Sequence, residues 1–350
     1  MTNLEIAHHR LYTQHIAHQQ FSTPAEIVKY MGAMQAQDYA GAKWSVGIRL
    51  QKCIDADVDK ALADGSIIRT HVLRPTWHFV DPADLRWMLD LTAHRIVSLG
   101  ASRTRQLQLD NSIFKKSNDA LAKALEGNKQ LDRFVLTTIL NNAGVKTDTE
   151  RLIHLLMQAE LDRVICSGGR QGKQFTYALF DDSVPKSHPL DKEEALGELL
   201  RRYIVSRGPA TLHDFAWWSG LTLGDAKVGL EIVKPEFTIV MVESHEYWMA
   251  KDQPELPSKA PIAYLLPAYD EFAVAYSDRT AAVNPKYTTQ ARHVIFDPSI
   301  VVNNQVVGTW KRIVKKNEIE IVLNPFGKLN KTQIKAIEMA QKRYQKFMKD

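Results

Sequence analysis

Three times along this chain, two helical stretches joined by a tight turn precede a pair of short strands. That recurrence limits the available folds more than any other feature. In the first instance Ser22-Thr23-Pro24-Ala25-Glu26 combines a hydroxyl cap, proline at the first helical position and an acid in the first turn. The helix is expected from Pro24 to Met34, with Ile27, Val28, Met31 and Met34 facing a core, and shorter helices follow over 42–50 and 56–64. Strands over 67–73 and 76–80 then meet around Arg74-Pro75. The second instance has helices over 131–142 and 147–161 about Ala143-Gly144-Val145, then strands over 164–166 and 175–179 flanking a glycine-rich tip with Arg170 and Lys173. The third has a helix over 192–206, a pair over 211–219 and 223–233 about Ser219-Gly220-Leu221-Thr222, and a hairpin from 237–242 and 247–249. Three helices followed by a ribbon is the order of a winged helix. Such units bind duplex DNA through the helix-turn-helix, and a substantial share serve as protein-contact modules instead.

Helices are also expected over 3–18 and from Asp81 to about Leu99. From Pro254 the pattern changes to strands, expected over 262–266, 291–296, 300–302, 305–314 and 318–323, with Asn303-Asn304 as a tight turn. A basic amphipathic helix over 331–348 follows. The expected fold class is α+β: three tandem winged-helix units, then a small β-rich domain and a terminal helix. The divisions fall at 1–125, 126–190, 191–253 and 254–350. A chain of 350 residues, 45% apolar and 24% charged, has the length and composition for several real cores.

No apolar run is long enough to span a membrane, and MTNLEIAHHRLYTQHIAHQQ lacks the apolar core of a signal peptide. Cys53 and Cys166 stand alone, which fits a reducing, cytoplasmic setting. The net charge of +5 is uneven: residues 311–350 hold eleven Lys/Arg against four Asp/Glu. Lys311-Arg312, Lys315-Lys316 and the tail from Lys342 suit a polyanion, or form a solvated helical face.

There is no phosphate-binding loop, dinucleotide fingerprint or nucleophile elbow. His9, His15 and His18 lack an acidic or cysteine partner nearby, so no metal and no cofactor is expected. What remains is Gln35-Ala36-Gln37, followed by Asp38 and Tyr39. In an extended segment the two amides point to one side while Ala36 faces the core; in a helix they diverge by about 200°. A paired role therefore requires a break in the helix, and two surface glutamines in a polar connection is the bland alternative. Arg69, His71, Arg74, Thr76 and His78 on the first wing are donors suited to phosphate or base, with packing beside Trp77 equally open for the histidines. Asp270 and Glu271 lie among aromatics, lining a site or bonding backbone at a strand corner.

Five segments in order resemble one family. They are Gln35-Ala36-Gln37, the stretch from Arg74 to Phe79, that from Arg207 to Leu221, that from Leu266 to Phe272 with Tyr276 and Arg279, and Val307-Gly308-Thr309-Trp310. Together they resemble the tandem winged-helix DNA glycosylases of the AlkZ/YcaQ-like group, in the branch with Gln, an apolar residue and Gln. The resemblance implies a monofunctional glycosylase acting on duplex DNA that carries cationic N7-alkylated purines, extending to bulky adducts and interstrand crosslinks. Gln35 and Gln37 take the catalytic roles, and Asp38, one position displaced, does not replace the carboxylate of the other branch. Asp38, Tyr39, Asp270 and Glu271 are expected to line the site, with Arg69, His71, Arg74, Thr76, His78, Arg170, Lys173, Arg279, Lys311 and Arg312 contacting DNA. A cytoplasmic, nucleoid-associated monomer is expected. The competing reading is a winged-helix DNA-binding regulator without catalysis.

Overall fold

Helix, helix-turn-helix and hairpin follow one another three times in the computed structural model, which describes residues 1–252, 262–314 and 319–349. The expected boundary at Pro254, Lys315-Lys316 and the strand start at Glu318 lie outside the described residues. Ahead of the first repeat, α1 (Asn3–Thr13) ends before the expected residue 18. There Gln14 is drawn into buried hydrogen bonds and His15 turns the backbone to φ 56°.

The first repeat begins with α2 (Pro24–Met31), closed at its start by a capping box between Thr23 and Glu26. It stops at Gly32, φ 72°, rather than at Met34; glycine turns the chain where a Cβ would be strained. The next residues form β1 (Ala33–Gln35), followed by α3 (Tyr39–Gly47), α4 (Asp55–Ala63), β2 (Ile68–His71) and β3 (Trp77–Val80). The sheet order is β1-β3-β2, antiparallel throughout, with Gln35 opposite His78 and His78 opposite Thr70. This is the connectivity of a winged helix. The long α5 (Pro82–Gln106) leads away from it.

The second repeat comprises α6 (Asn111–Leu125), β4 (Leu131–Asp132), α7 (Arg133–Asn142), α8 (Thr149–Leu161), β5 (Ile165–Gln171) and β6 (Gln174–Leu179), ordered β4-β6-β5. Its first helix of the pair begins two residues later than expected because Asp132 caps it, accepting from the N–H groups of Phe134 and Val135. After α9 (Phe180–Ser183) come α10 (Lys192–Arg207), α11 (Leu212–Ser219), α12 (Leu223–Val233), β7 (Phe237–Val242) and β8 (His245–Ala250). Here Ala210 alone takes the place of the first strand, exchanging two hydrogen bonds with Trp248 at 3.0 and 2.8 Å.

The C-terminal region holds β9 (Ala263–Leu266), α13 (Glu271–Val274), α14 (Thr288–Val294), β10 (Ser299–Val302), β11 (Gln305–Val314), β12 (Ile319–Pro325) and α15 (Lys331–Phe347). Its open sheet runs β12-β11-β10-β9, and Asn303-Asn304 make the turn at φ 50° and 71°. The strand expected over 291–296 is instead the end of α14 and a turn. Only Ala291 in that helix is buried, so the segment has no alternating apolar face to add to a sheet.

The cores do not follow the expected divisions. Leu121 and Leu125 of α6 pack with Leu136 and Leu140, so the boundary at 125 separates a helix from its own core. The first repeat shares one core with the C-terminal sheet and α15: the Trp44 indole donates to Leu265 O at 2.7 Å, and Gly47 leaves room for the Phe347 ring. Its other side, through Ala33, Ile68 and Val80, joins the core of α5 and α10–α12.

Candidate active site

Because α2 ends at Gly32, the motif is extended. Gln35 closes β1, Ala36 is fully buried and gives its N–H to Trp77 O at 2.7 Å, and Gln37 is exposed. Gln35 Oε1 accepts the Gln37 N–H at 2.9 Å, while Gln37 Oε1 accepts the Trp77 N–H at a longer 3.4 Å. Among the described residues neither amide NH2 has a protein partner. The pair therefore offers two NH2 donors, and Gln37 Oε1 keeps a lone pair free for water.

Behind β1 lies a buried polar network. Glu271, at the start of α13, accepts the Gln35 N–H on Oε1 at 2.8 Å. Its Oε2 accepts from Arg207 Nε and Nη2 at 2.9 and 2.7 Å. Arg207 also donates to Met31 O and Ala33 O, both at 2.7 Å, so one ion pair holds β1 at both ends. Beside it Asp270 forms a two-point pair with Arg49 at 2.8 Å and accepts from Ser45 Oγ at 2.7 Å. Burial alone would raise the Asp270 carboxyl, but the Arg49 charge and hydrogen bonds from Arg49, the Phe272 N–H and Ser45 hold it below the ordinary carboxylate value. Arg49 passes to Gln14, Gln14 to the Tyr276 hydroxyl, and that hydroxyl donates to Arg207 O at 2.7 Å. Asp270 and Glu271 thus face inward, and their part is to hold the motif rather than to line an open site.

The first-wing donors separate. His78 is completely buried; burial, then the Arg74 and His71 charges, keep its ring neutral, so it is not a phosphate contact. His71 is paired with buried Glu160. Arg69, its guanidinium brought down to about 10 by burial, donates to Ala36 O at 3.1 Å and lies over Trp77 and Phe175 at 4.2 and 4.6 Å. These three, expected as DNA contacts, build the wing itself. Thr76 Oγ1 is buried without a partner among the described residues, and Arg74 is half-buried.

Arg170 and Lys173 are exposed at the tip of the second hairpin, where Arg170 lies over the rings of Tyr39 and Phe175 at 4.9 and 5.3 Å. Tyr39 packs edge-on against Phe175 and donates to Asp59. Asp38 lines a cleft of about 50 Å³ with Trp310, Tyr344 and Arg312, which donates to the Tyr344 hydroxyl at 3.0 Å; Lys311 is exposed. Arg279 sits beside Trp217.

A cavity of about 720 Å³ between α11, α12 and the β7–β8 hairpin contains neither glutamine. No group of three or more His, Cys, Asp or Glu among the described residues could hold a metal ion. No described helix is long and apolar enough to cross a membrane. Sequence reasoning missed the roles of Arg207 and Arg49. Arg49 stands among apolar neighbours in Val46-Gly47-Ile48-Arg49-Leu50, and Arg207 opens one of the segments quoted for the family resemblance, but neither position reveals its partner.

The curated interstrand DNA cross-link repair glycosylase of Streptomyces sahachiroi is 24% identical over 332 residues, covering 90% of this chain and 88% of that protein. The solved structure of Streptomyces sahachiroi DNA glycosylase AlkZ shares the fold, with a TM-score of 0.81 and 22% identity, covering 99% of this chain and 96% of that one. The model of the family described as DNA glycosylase AlkZ-like matches residues 28–347, from the helix before the glutamine pair to the end of α15. The chain therefore belongs to the AlkZ-like DNA glycosylase family.

Proposed function

We propose that this chain hydrolyses the N-glycosidic bond of cationic N7-alkylated purines in duplex DNA, bulky adducts and interstrand crosslinks included. The observation that carries the reading is the extended glutamine pair, with Gln37 exposed and Gln35 anchored by Glu271. N7-alkylation makes the purine a cation, so cleavage expels a neutral base and needs no general acid, unlike a sugar oxygen. The two carboxylates behind β1, Asp270 and Glu271, are closed in ion pairs with arginines and are not free to act as acids. The NH2 groups donate to sugar or phosphate oxygens, and Gln37 Oε1 orients a water toward the anomeric carbon. Rate enhancement comes from positioning and from preorganised dipoles around an oxocarbenium-like sugar. Such a site suits labile cationic lesions and discriminates against neutral bases. The exposed cations Arg170, Lys173 and Lys311 supply phosphate contacts on the duplex.

The test is incubation with duplex DNA carrying N7-methylguanine, followed by an assay for abasic sites. Base release well above the spontaneous rate is expected. Tight duplex binding with no release above that rate would leave a DNA-binding regulator as the better reading.

A further inference from the structure

Trp217 is a large aromatic residue left 44% exposed on α11. Its indole is fixed, Nε1 donating to Val274 O at 2.9 Å. Two guanidinium carbons lie within reach of that ring, Arg279 at 5.1 Å and Arg74 at 6.0 Å from its centroid. Among the described residues neither arginine forms a salt bridge. Arg279 donates only to the carbonyls of Ala273 and Ser277, and its Nη2 is buried with no partner. Arg74 has no hydrogen-bonded partner on its guanidinium, and its Nε is buried and unpaired. Arg279 is held by those carbonyls and by the Phe296 ring, 4.7 Å from its guanidinium carbon, and Arg74 by packing. The α11–α12 turn passes so close to the first wing that a Cβ on Gly220, φ 74°, would lie 2.7 Å from Leu73 O and 3.3 Å from Arg74 Cγ. Two unpaired cations beside one exposed, anchored indole lack an anion and a ring to stack.

Their location says which anion. The single turn of α13 has Glu271 under Gln35 at its start and, at its end, the carbonyls of Ala273 and Val274 that hold Arg279 and Trp217. Three rises of ~1.5 Å separate the first and last residues of this turn by roughly 4.5 Å. Arg74 is three residues before Trp77, whose N–H touches Gln37 Oε1. We propose that Arg74, Arg279 and Trp217 form a clamp for a DNA backbone phosphate next to the nucleotide held at Gln35 and Gln37, with the adjoining base on the Trp217 indole. This inference rests on duplex DNA being the substrate. It assigns the third repeat a direct part in presenting the lesion strand.

The experiment uses the full chain and a duplex containing a stable abasic-site analogue, which has no glycosidic bond to cut, with affinity read by fluorescence anisotropy across salt. Arg74→Gln with Arg279→Gln should weaken binding roughly tenfold, as for hydrogen bonds to a charged group. It should also lower the salt-dependence slope by about 0.9, one phosphate's worth of counterions. Trp217→Ala should weaken binding with the slope unchanged, while Trp217→Phe restores most of it. Methylphosphonates placed singly around the analogue test the unaltered protein, whatever the variants' folding. One position within two nucleotides should cost affinity, and that cost should vanish in the double variant. An unchanged slope in a folded double variant, or no sensitive phosphate within two nucleotides, overturns the clamp. Because nothing is hydrolysed in this assay, a protein that passes it yet releases no base refutes the glycosylase reading and leaves the clamp standing.

Discussion

Replacing Glu271 by Ala probes the support of the motif most directly. Three consequences follow from the geometry. Arg207, fully buried, loses its carboxylate partner but keeps Met31 O, Ala33 O and Ser206 Oγ. The Gln35 N–H loses its acceptor. Removing one partner of a buried pair costs about 3–5 kcal/mol, and the retained acceptors place this case near the lower bound. A loss of about 3 kcal/mol corresponds to a fall in Tm of about 4 °C for a chain of this length. Release of the end of β1 should also misplace the amides, slowing single-turnover base release between about ten- and a hundredfold. Duplex affinity should change little, since no phosphate contact is touched. Pairing Glu271→Leu with Arg207→Met separates the two effects. Stability should recover by a large part, because no charge is then buried alone, while activity stays low because the Gln35 N–H is still unpaired. Thermal unfolding and single-turnover rates at saturating enzyme measure both. A Glu271→Ala protein that melts and reacts like the parent refutes the supporting role.

Gln37→Ala should reduce base release by up to about 10², at least as much as Gln35→Ala, while Gln37→Glu retains more activity; single-turnover rates at matched DNA saturation check this. Duplex binding should weaken steeply from low to moderate salt, and a flat anisotropy profile would count against the exposed cations Arg170, Lys173 and Lys311. Full base release should persist after EDTA treatment, and loss restored by zinc or magnesium would overturn the amide chemistry. His78 is held neutral in the fold well below its ordinary 6.5. Its unfolded state therefore binds the extra proton, and the associated stability is complete above about 6.5 and falls as pH drops below it. His78→Phe should flatten the denaturation midpoint between about pH 5 and 7; an unaltered profile would remove His78 as the cause.

Local signals made the helices legible. Thr23 with Glu26, Asp132, and Gly220 each start or stop a helix through contacts within three or four residues, and the sequence carries those directly. The strand β1 is less visible. It has three residues, and it is extended because Gly32 ends α2 and β3 offers an edge. The conditional reading of the glutamine pair is met on its extended branch. Asp270 and Glu271 left two readings open because their partners are remote in sequence: Arg49 is 221 residues from Asp270, and Arg207 is 64 from Glu271. His71 was open for the same reason, with Glu160 lying 89 residues further on. Arg69 and His78 drew attention as donors by residue type, and only packing reveals that one braces the Ala36 carbonyl and the other is enclosed.

The division of cores has a consequence for synthesis. Residues 107–179 share a core that draws only on residues already synthesised, Trp77 among them, so that core can condense while later residues are still in the ribosome. The repeat bearing the glutamines has no such independence. Its strand depends on Arg207 and Glu271, its Trp44 on Leu265, and its Gly47 on Phe347. A nascent chain therefore emerges with Gln35 and Gln37 early, whereas the last of the partners that brace their repeat, Phe347, arrives only with α15.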